Sequence, residues 1–217
     1  MENLSNCILS TAYWPNIQYF TKIVSCVKVY IEQFETFPKQ SYRNRCALYG
    51  PNSIQTLQIP ILKGEHNQIT KDVRIAYQMP WQKNHFQTIK SLYKSSPFFD
   101  YYADDIEFFY NKKFNFLLDY NNAIFEVCCR WLKIDNNTEL TSDYVKNPLC
   151  SDFRNTIHPK QSHQAEDKDF NPLKYTQVFS DRFGFIPNLS IIDLVMNCGH
   201  DSVSILKSSG RILKNEY

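Results

Sequence analysis

The chain has 217 residues, 43% of them hydrophobic, which is enough apolar material for one sizeable core but a thin supply for two. Twenty-four basic residues against 22 acidic ones leave a net charge of +2, so no global field points to nucleic acid or to an anionic membrane, and any anion site must be local. Seven scattered cysteines, with no C-x-x-C pair and no histidine at ligand spacing, exclude the common zinc signatures and read as reduced, mostly buried thiols.

No apolar run approaches the roughly 18–20 residues of a membrane span, and no basic segment followed by an apolar one opens the chain, so the expected compartment is the cytoplasm. Residues 7–14 (CILSTAYW) suit a buried strand. After the Pro15-Asn16 break, Ile17, Tyr19, Phe20, Ile23 and Val24 recur at helical spacing. VKVYIEQF (27–34) alternates and is rich in β-formers, which completes a strand–helix–strand unit of the parallel crossover kind. Residues 46–49 and 54–62 flank the turn cluster Gly50-Pro51-Asn52-Ser53 and read as a hairpin. VRIAYQ (73–78) is a further candidate strand.

Three helical stripes follow. The first carries Trp81, His85, Ile89 and Leu92. The second, after Pro97, carries Phe98, Tyr102, Ile106 and Phe109. The third runs from Phe114 through Leu118, Asn121, Phe125 and Cys128 to Trp131. Residues 135–175 lose periodicity and fill with polar residues, a loop whose length suggests function or mobility. In PNLSIID, Ser190 can cap a helix whose third residue is Asp193, a variant of the capping box. Gly199 would close that helix, and Asp201 could cap a last one over residues 202–207. The expected fold class is α/β: a single domain over residues 1–210, with a mixed, mainly parallel sheet flanked by helices and a three-helix insertion after the sheet strands. Residues 211–217 read as a flexible tail.

The most chemical stretch is KQSYRNR. If it is extended, Lys39, Ser41, Arg43 and Arg45 share one face, with cations roughly 7–14 Å apart, a spacing that could span a diphosphate. The competing account is a charged edge strand that resists aggregation. His85 beside an apolar stripe is either a general base or a satisfied core histidine, and His158 lies in the irregular region where binding residues concentrate. Asn188, Ser190 and Asp193 sit at a helix start, which is both a cap and a potential anion site. Nothing in the sequence resembles a P-loop, a G-x-S-x-G turn or a metal cluster, and neither a metal nor a cofactor is expected.

Taken together, STAYWPNIQYF, YIEQ, KQSYRNR, KDVRIAYQMPWQKNHFQTIKSLYKSSPFFDYY and FSDRFGFIPNLSIIDLVMNCG resemble the WbqC-like protein family, in the family's order and over nearly the whole chain. The family pattern falls here on Tyr13, Pro15, Tyr19, Arg43, Asn44, Arg45, Trp81, His85, Tyr93, Pro187, Asn188, Ser190 and Asp193. The resemblance implies a transferase-type enzyme acting on an activated, anionic, nucleotide- or acyl-linked small molecule in surface polysaccharide biosynthesis. In that reading Arg43 and Arg45, with Lys39, grip phosphate, while Tyr13, Asn16, Tyr19, Asn44, Trp81, Asn188 and Ser190 bind substrate. His85 or His158 acts as base, and Asp193 positions it or binds polar substrate groups. The alternative is a non-catalytic protein that binds a glycan or a partner. Neither reading involves nucleic acid or an integral membrane segment, and neither fixes the oligomeric state. The opening block also has the strand–loop–helix shape of nucleotidyltransferase-like folds, but Asn16-Ile17-Gln18-Tyr19 stands where those carry His-x-Gly-His.

Overall fold

In a computed structural model of the chain, residues 6–62, 64, 67–159 and 167–210 are described; the tail expected over 211–217 lies outside them. Strand β1 (Cys7–Ser10) runs into a turn in which Trp14 adopts a left-handed backbone, φ 39°. Helix α1 (Ile17–Ser25) then begins, with Asn16 as its cap: the Asn16 Oδ1 accepts the Tyr19 amide at 3.0 Å. The chain returns in β2 (Val29–Glu32), paired parallel to β1 with Cys7 opposite Val29 and Ser10 opposite Glu32. Alternation decides what each side of the pair does. Leu9, Val29 and Ile31 join the apolar core, while Glu32 is buried among polar partners.

The hairpin forms as expected, as β3 (Arg45–Gly50) and β4 (Ser53–Gln58), but it is a separate antiparallel ribbon. The antiparallel character predicted for one mixed sheet therefore resides in a second sheet. Two local expectations are corrected. Residues 39–44 form turns, with Gln40 at φ 61°, so the alternation that would align Lys39, Ser41, Arg43 and Arg45 does not hold. Residues 73–78 form no strand. Their backbone groups are met piecemeal: the Leu62 amide donates to the Arg74 carbonyl, the Ile75 amide to Asn115 and the Leu117 amide to Val73, leaving isolated bridges.

The three predicted stripes are helices α2 (Trp81–Tyr93), α3 (Phe99–Asn111) and α4 (Leu117–Leu132). Within the region read as loop, two short strands, β5 (Thr138–Leu140) and β6 (Ser151–Asp152), complete a four-stranded, all-parallel sheet of order β5-β2-β1-β6. After the single turn of α5 (Ser180–Phe183) come α6 (Ile191–Cys198) and α7 (Ser202–Ser209). Ser190 caps α6 through the Ile192 amide at 3.3 Å, and Gly199 closes it at φ 51°. Asp201 makes no side-chain cap to α7. The core is dense in aromatic contacts: Trp14 stacks on Trp131 at 5.7 Å, and Phe20 on Phe125 at 5.7 Å.

Candidate functional site

Chain order reverses beside β1: its successor β2 lies on one side and the late strand β6 on the other. In open parallel sheets, the carboxyl ends flanking such a reversal form a crevice where ligands bind. Here those ends supply Ser10 and Thr11 from β1, Glu32 and then Glu35 from β2, and Asp152 and Arg154 from β6. Arg43 enters from the turn before β3. Its guanidinium grips Glu35 in a two-point fork, Nε to Oε1 at 2.7 Å and Nη2 to Oε2 at 2.6 Å, and also donates to Ser10 Oγ at 2.6 Å. Arg154 makes the matching fork to Asp152, at 2.9 and 2.7 Å, and reaches the fully buried Glu32 at 3.2 Å. Partial burial works against the Asp152 carboxylate, but the hydrogen bonds and charge of Arg154 outweigh it and hold its pKa below the ordinary value.

Glu32 is satisfied on all sides. It accepts the Phe34 and Val145 amides and the Thr141 hydroxyl as well as Arg154. Above these forks opens a cleft of about 500 Å3 whose walls include Glu35, Arg43, Tyr144, Lys146, Asp152 and Arg154. Lys146 makes no ion pair with any described residue, and the Tyr144 ring lies 5.7 Å from the Arg154 guanidinium. The cleft thus combines two internally neutralised arginine forks, one exposed lysine and one half-exposed aromatic ring.

Tyr13 and His85 meet in the interior, away from this cleft. The Tyr13 hydroxyl lies 2.9 Å from His85 Nδ1 and 2.7 Å from the Tyr110 hydroxyl, which also accepts the Trp14 indole N–H at 3.0 Å. Burial lowers the His85 pKa to about 4, only partly offset by a backbone hydrogen bond with Gln58, so the ring is neutral at physiological pH. Trp81 is spent similarly: its indole N–H donates to the Ala76 carbonyl at 2.9 Å.

A second buried network surrounds Asp193. Its carboxylate accepts the Tyr93 hydroxyl at 2.8 Å, the Tyr175 hydroxyl at 2.6 Å and the Gln177 amide at 3.0 Å. Burial raises its pKa, and these three donors oppose the rise without cancelling it. Asp193 therefore does not close a capping box; the Ser190 amide donates instead to the Ala47 carbonyl. Ser190 Oγ donates to the Trp14 carbonyl, which ties the start of α6 to the β1–α1 turn. Asn188, at φ 57°, clasps Gln18 at the start of α1: its Oδ1 accepts the Gln18 amide at 2.9 Å and its Nδ2 donates to Gln18 Oε1 at 3.0 Å. Gln18 and Lys22 both reach Asp167, each at 2.8 Å.

Of the residues singled out from the sequence, Arg43 lines both the cleft and the narrow crevice below it, and Tyr19 lines the crevice. Asn16 caps α1 next to them. Asn44 donates to the Ile59 carbonyl at 2.9 Å, Lys39 is exposed on the turn, and Arg45 begins β3; none of the three lines the cleft. His158 is half-buried just after Ile157, a crevice residue. Sequence reasoning missed Ser10, Glu32, Glu35, Asp152, Arg154 and Lys146. For Glu32 and Glu35 a signal existed, since two carboxylates at the carboxyl end of a predicted parallel strand stand where such sheets place ligand groups. Strand β6, of two residues, carries no period to read.

Among the described residues no group of three or more His, Cys, Asp or Glu side chains is arranged to hold a metal ion, and no helix is long and apolar enough to cross a membrane. No curated protein and no solved structure matches the chain. One family model does, over residues 11–163 and 151–205, a span that contains the β1–α1 turn, both arginine forks and the Asp193 network. The chain belongs to the WbqC-like protein family.

Proposed function

We propose that this protein is a transferase-type enzyme that holds an activated, anionic small molecule, with a nucleotide- or acyl-linked donor as the substrate class, in the cleft at the carboxyl ends of β1, β2 and β6. The observation that carries the reading is the coincidence of that cleft with the reversal of strand order, with Lys146, Arg154 and Tyr144 on its walls. Lys146, unpaired among the described residues, offers the positive charge a phosphate needs, and the Arg154–Asp152 fork forms the wall beside it. Tyr144 offers a face on which a base can stack. A place in surface polysaccharide biosynthesis follows the family resemblance, and the cytoplasm is where nucleotide- and acyl-linked donors would be met.

One observation favours a second reading, a non-catalytic binding protein. Both crevice arginines are neutralised by their own carboxylates, and His85 is held in the interior against Tyr13, so neither Arg43 nor His85 presents a free group to the cleft. The two readings separate in one experiment. Nucleotides, nucleotide sugars and acyl-coenzyme A compounds are screened by thermal shift against the wild type and Lys146→Gln. A ligand at about 100 times its Kd contributes roughly 2.7 kcal/mol, equivalent to a Tm rise of about 5–10 °C for a chain of this size. Lys146→Gln should reduce that rise for the hit. Release of nucleotide or coenzyme A from the bound donor over time supports the enzyme. A stable, unreacted complex supports the binding protein, and silence across the screen refutes the anionic-donor reading.

A further inference from the structure

A basic, aromatic surface that shares no residue with the walls of the cleft forms where the link between α3 and α4, residues 112–116, runs beside residues 74–79 and the start of α2. Hydrogen bonds tie the three segments together. The Ile75 amide donates to the Asn115 carbonyl at 3.1 Å and the Gln82 side-chain amide to the Lys112 carbonyl at 2.8 Å. The Tyr77 hydroxyl donates to the Phe114 carbonyl and accepts the Phe114 amide, each at 2.9 Å. This surface carries Arg74, Lys83, Lys112 and Lys113, all exposed, and none of the four makes an ion pair among the described residues. Asp72, two residues before Arg74, is paired with Lys71 at 3.1 Å, and Glu107 and Asp119, exposed on α3 and α4, pair with none of the four.

What the cations rest on decides between partners. Lys112 Nζ lies 5.4 Å from the Phe108 ring centre and 5.0 Å from that of Phe114, Lys113 Nζ lies 5.3 Å from Tyr77, and the Arg74 guanidinium lies 5.5 Å from Phe116. Single-stranded nucleic acid is held by stacking bases on open aromatic faces, and here a cation covers a face of each of these rings. Two side chains then add apolar atoms that nothing covers: Met79, 69% exposed just before α2, and Phe108, 53% exposed beside Lys112. A soluble polyanion would neutralise the cations and leave Met79 and Phe108 in water. An anionic lipid surface meets both demands, with phosphates for the cations and a shallow apolar layer for the other two side chains. Attachment of this kind is peripheral and needs no membrane-spanning helix.

We propose that this surface docks the protein on an anionic phospholipid bilayer, with Arg74, Lys83, Lys112 and Lys113 against lipid phosphates and Met79 and Phe108 dipping between the headgroups. The docking surface stands whether or not the carboxyl-end cleft binds an anionic donor. The small net charge of the chain is no obstacle, because attraction to a charged bilayer falls off within a Debye length and is set by the cations that face it.

The test is co-sedimentation of the full chain with vesicles of phosphatidylcholine alone and of phosphatidylcholine mixed with phosphatidylglycerol. The chain should pellet with the anionic vesicles only, and added salt should weaken the binding. Each cation near such a surface contributes about fivefold, so Lys112→Gln with Lys113→Gln should weaken binding roughly 25-fold, with an unchanged circular dichroism spectrum. Lys90→Gln with Lys94→Gln, at exposed positions toward the other end of α2, should leave binding unchanged, which separates this surface from charge in general. Met79→Ser should weaken it about fivefold. A single-stranded oligonucleotide, followed by fluorescence anisotropy, serves as the soluble polyanion. No binding to the anionic vesicles overturns the proposal, and an oligonucleotide held through Lys112 and Lys113 in that case assigns the surface to nucleic acid. Vesicle binding indifferent to the Lys112 and Lys113 pair, or to Met79→Ser, overturns it as well.

Discussion

Replacing Arg43 by Met tests whether this arginine is a free phosphate ligand or a structural cation. Its side chain is 5% exposed and that of its partner Glu35 11%, joined by the two-point fork. Removing the guanidinium leaves the Glu35 carboxylate buried, with the Ser10 hydroxyl at 3.3 Å as its remaining donor among the described residues. Breaking one side of such a pair costs about 3–5 kcal/mol, most of it the penalty of the stranded charge. With unfolding entropy near 2.1 cal/mol/K per residue over 217 residues, Tm should fall by roughly 7–11 °C. Replacing both partners, Arg43→Met with Glu35→Leu, should restore much of the loss, because no buried charge remains. Calorimetric melting of the wild type, both single variants and the double variant closes the cycle. A loss below about 1 kcal/mol for Arg43→Met, or a double variant no more stable than the single, would refute the account of Arg43 as a neutralised structural cation.

Other expectations follow from the buried networks. The His85 pKa of about 4 lies below the ordinary 6.5, so the native state resists the proton that the unfolded chain accepts. His85 therefore contributes stability that is fully present above pH 6.5 and is lost as pH falls through about 4, up to roughly 3 kcal/mol in all. An NMR titration should show the His85 ring unprotonated at pH 6, and a midpoint near 6.5 would contradict the assignment. Tyr93→Phe removes both a donor to Asp193 and the acceptor of the Tyr49 amide, and urea unfolding should report a loss of about 1–3 kcal/mol. Tyr175→Phe, which leaves no backbone amide stranded, should cost less in the same assay. Gly199→Ala meets φ 51° and puts a Cβ about 2.4 Å from the Phe98 ring, so thermal melting should show a loss of at least about 1–2 kcal/mol, whereas a neutral result would deny the close packing there.

Much of the scaffold was readable because its signals are periodic. CILSTAYW, the helix after Pro15 and VKVYIEQF announce β1, α1 and β2, and three apolar stripes announce α2, α3 and α4. The strands β5 and β6 have three and two residues, too few for alternation to register, and exist because β1 and β2 offer open edges to pair with. Failure at 73–78 has the opposite cause: a good β-former composition whose backbone partners come from two different segments. The candidate site was legible only in part. Arg43 is conspicuous in KQSYRNR, but what neutralises it, Glu35, lies eight residues earlier, and no spacing rule links a turn arginine to the end of a preceding strand. Arg154 and Lys146 lie in an aperiodic tract where nothing local distinguishes them from solvated charges. His85 illustrates the limit from the other side. The helical stripe around Trp81 places it correctly on a buried face, and the Tyr13–Tyr110 network then explains its presence without chemistry.

The central claim is that the carboxyl-end cleft is where this protein meets its substrate. The most direct measurement is a crystal structure of the chain with whichever nucleotide, nucleotide sugar or acyl-coenzyme A compound stabilises it most. The account predicts phosphate density against Lys146, with any base on Tyr144. Density anywhere else, or no compound that stabilises the protein, would contradict it.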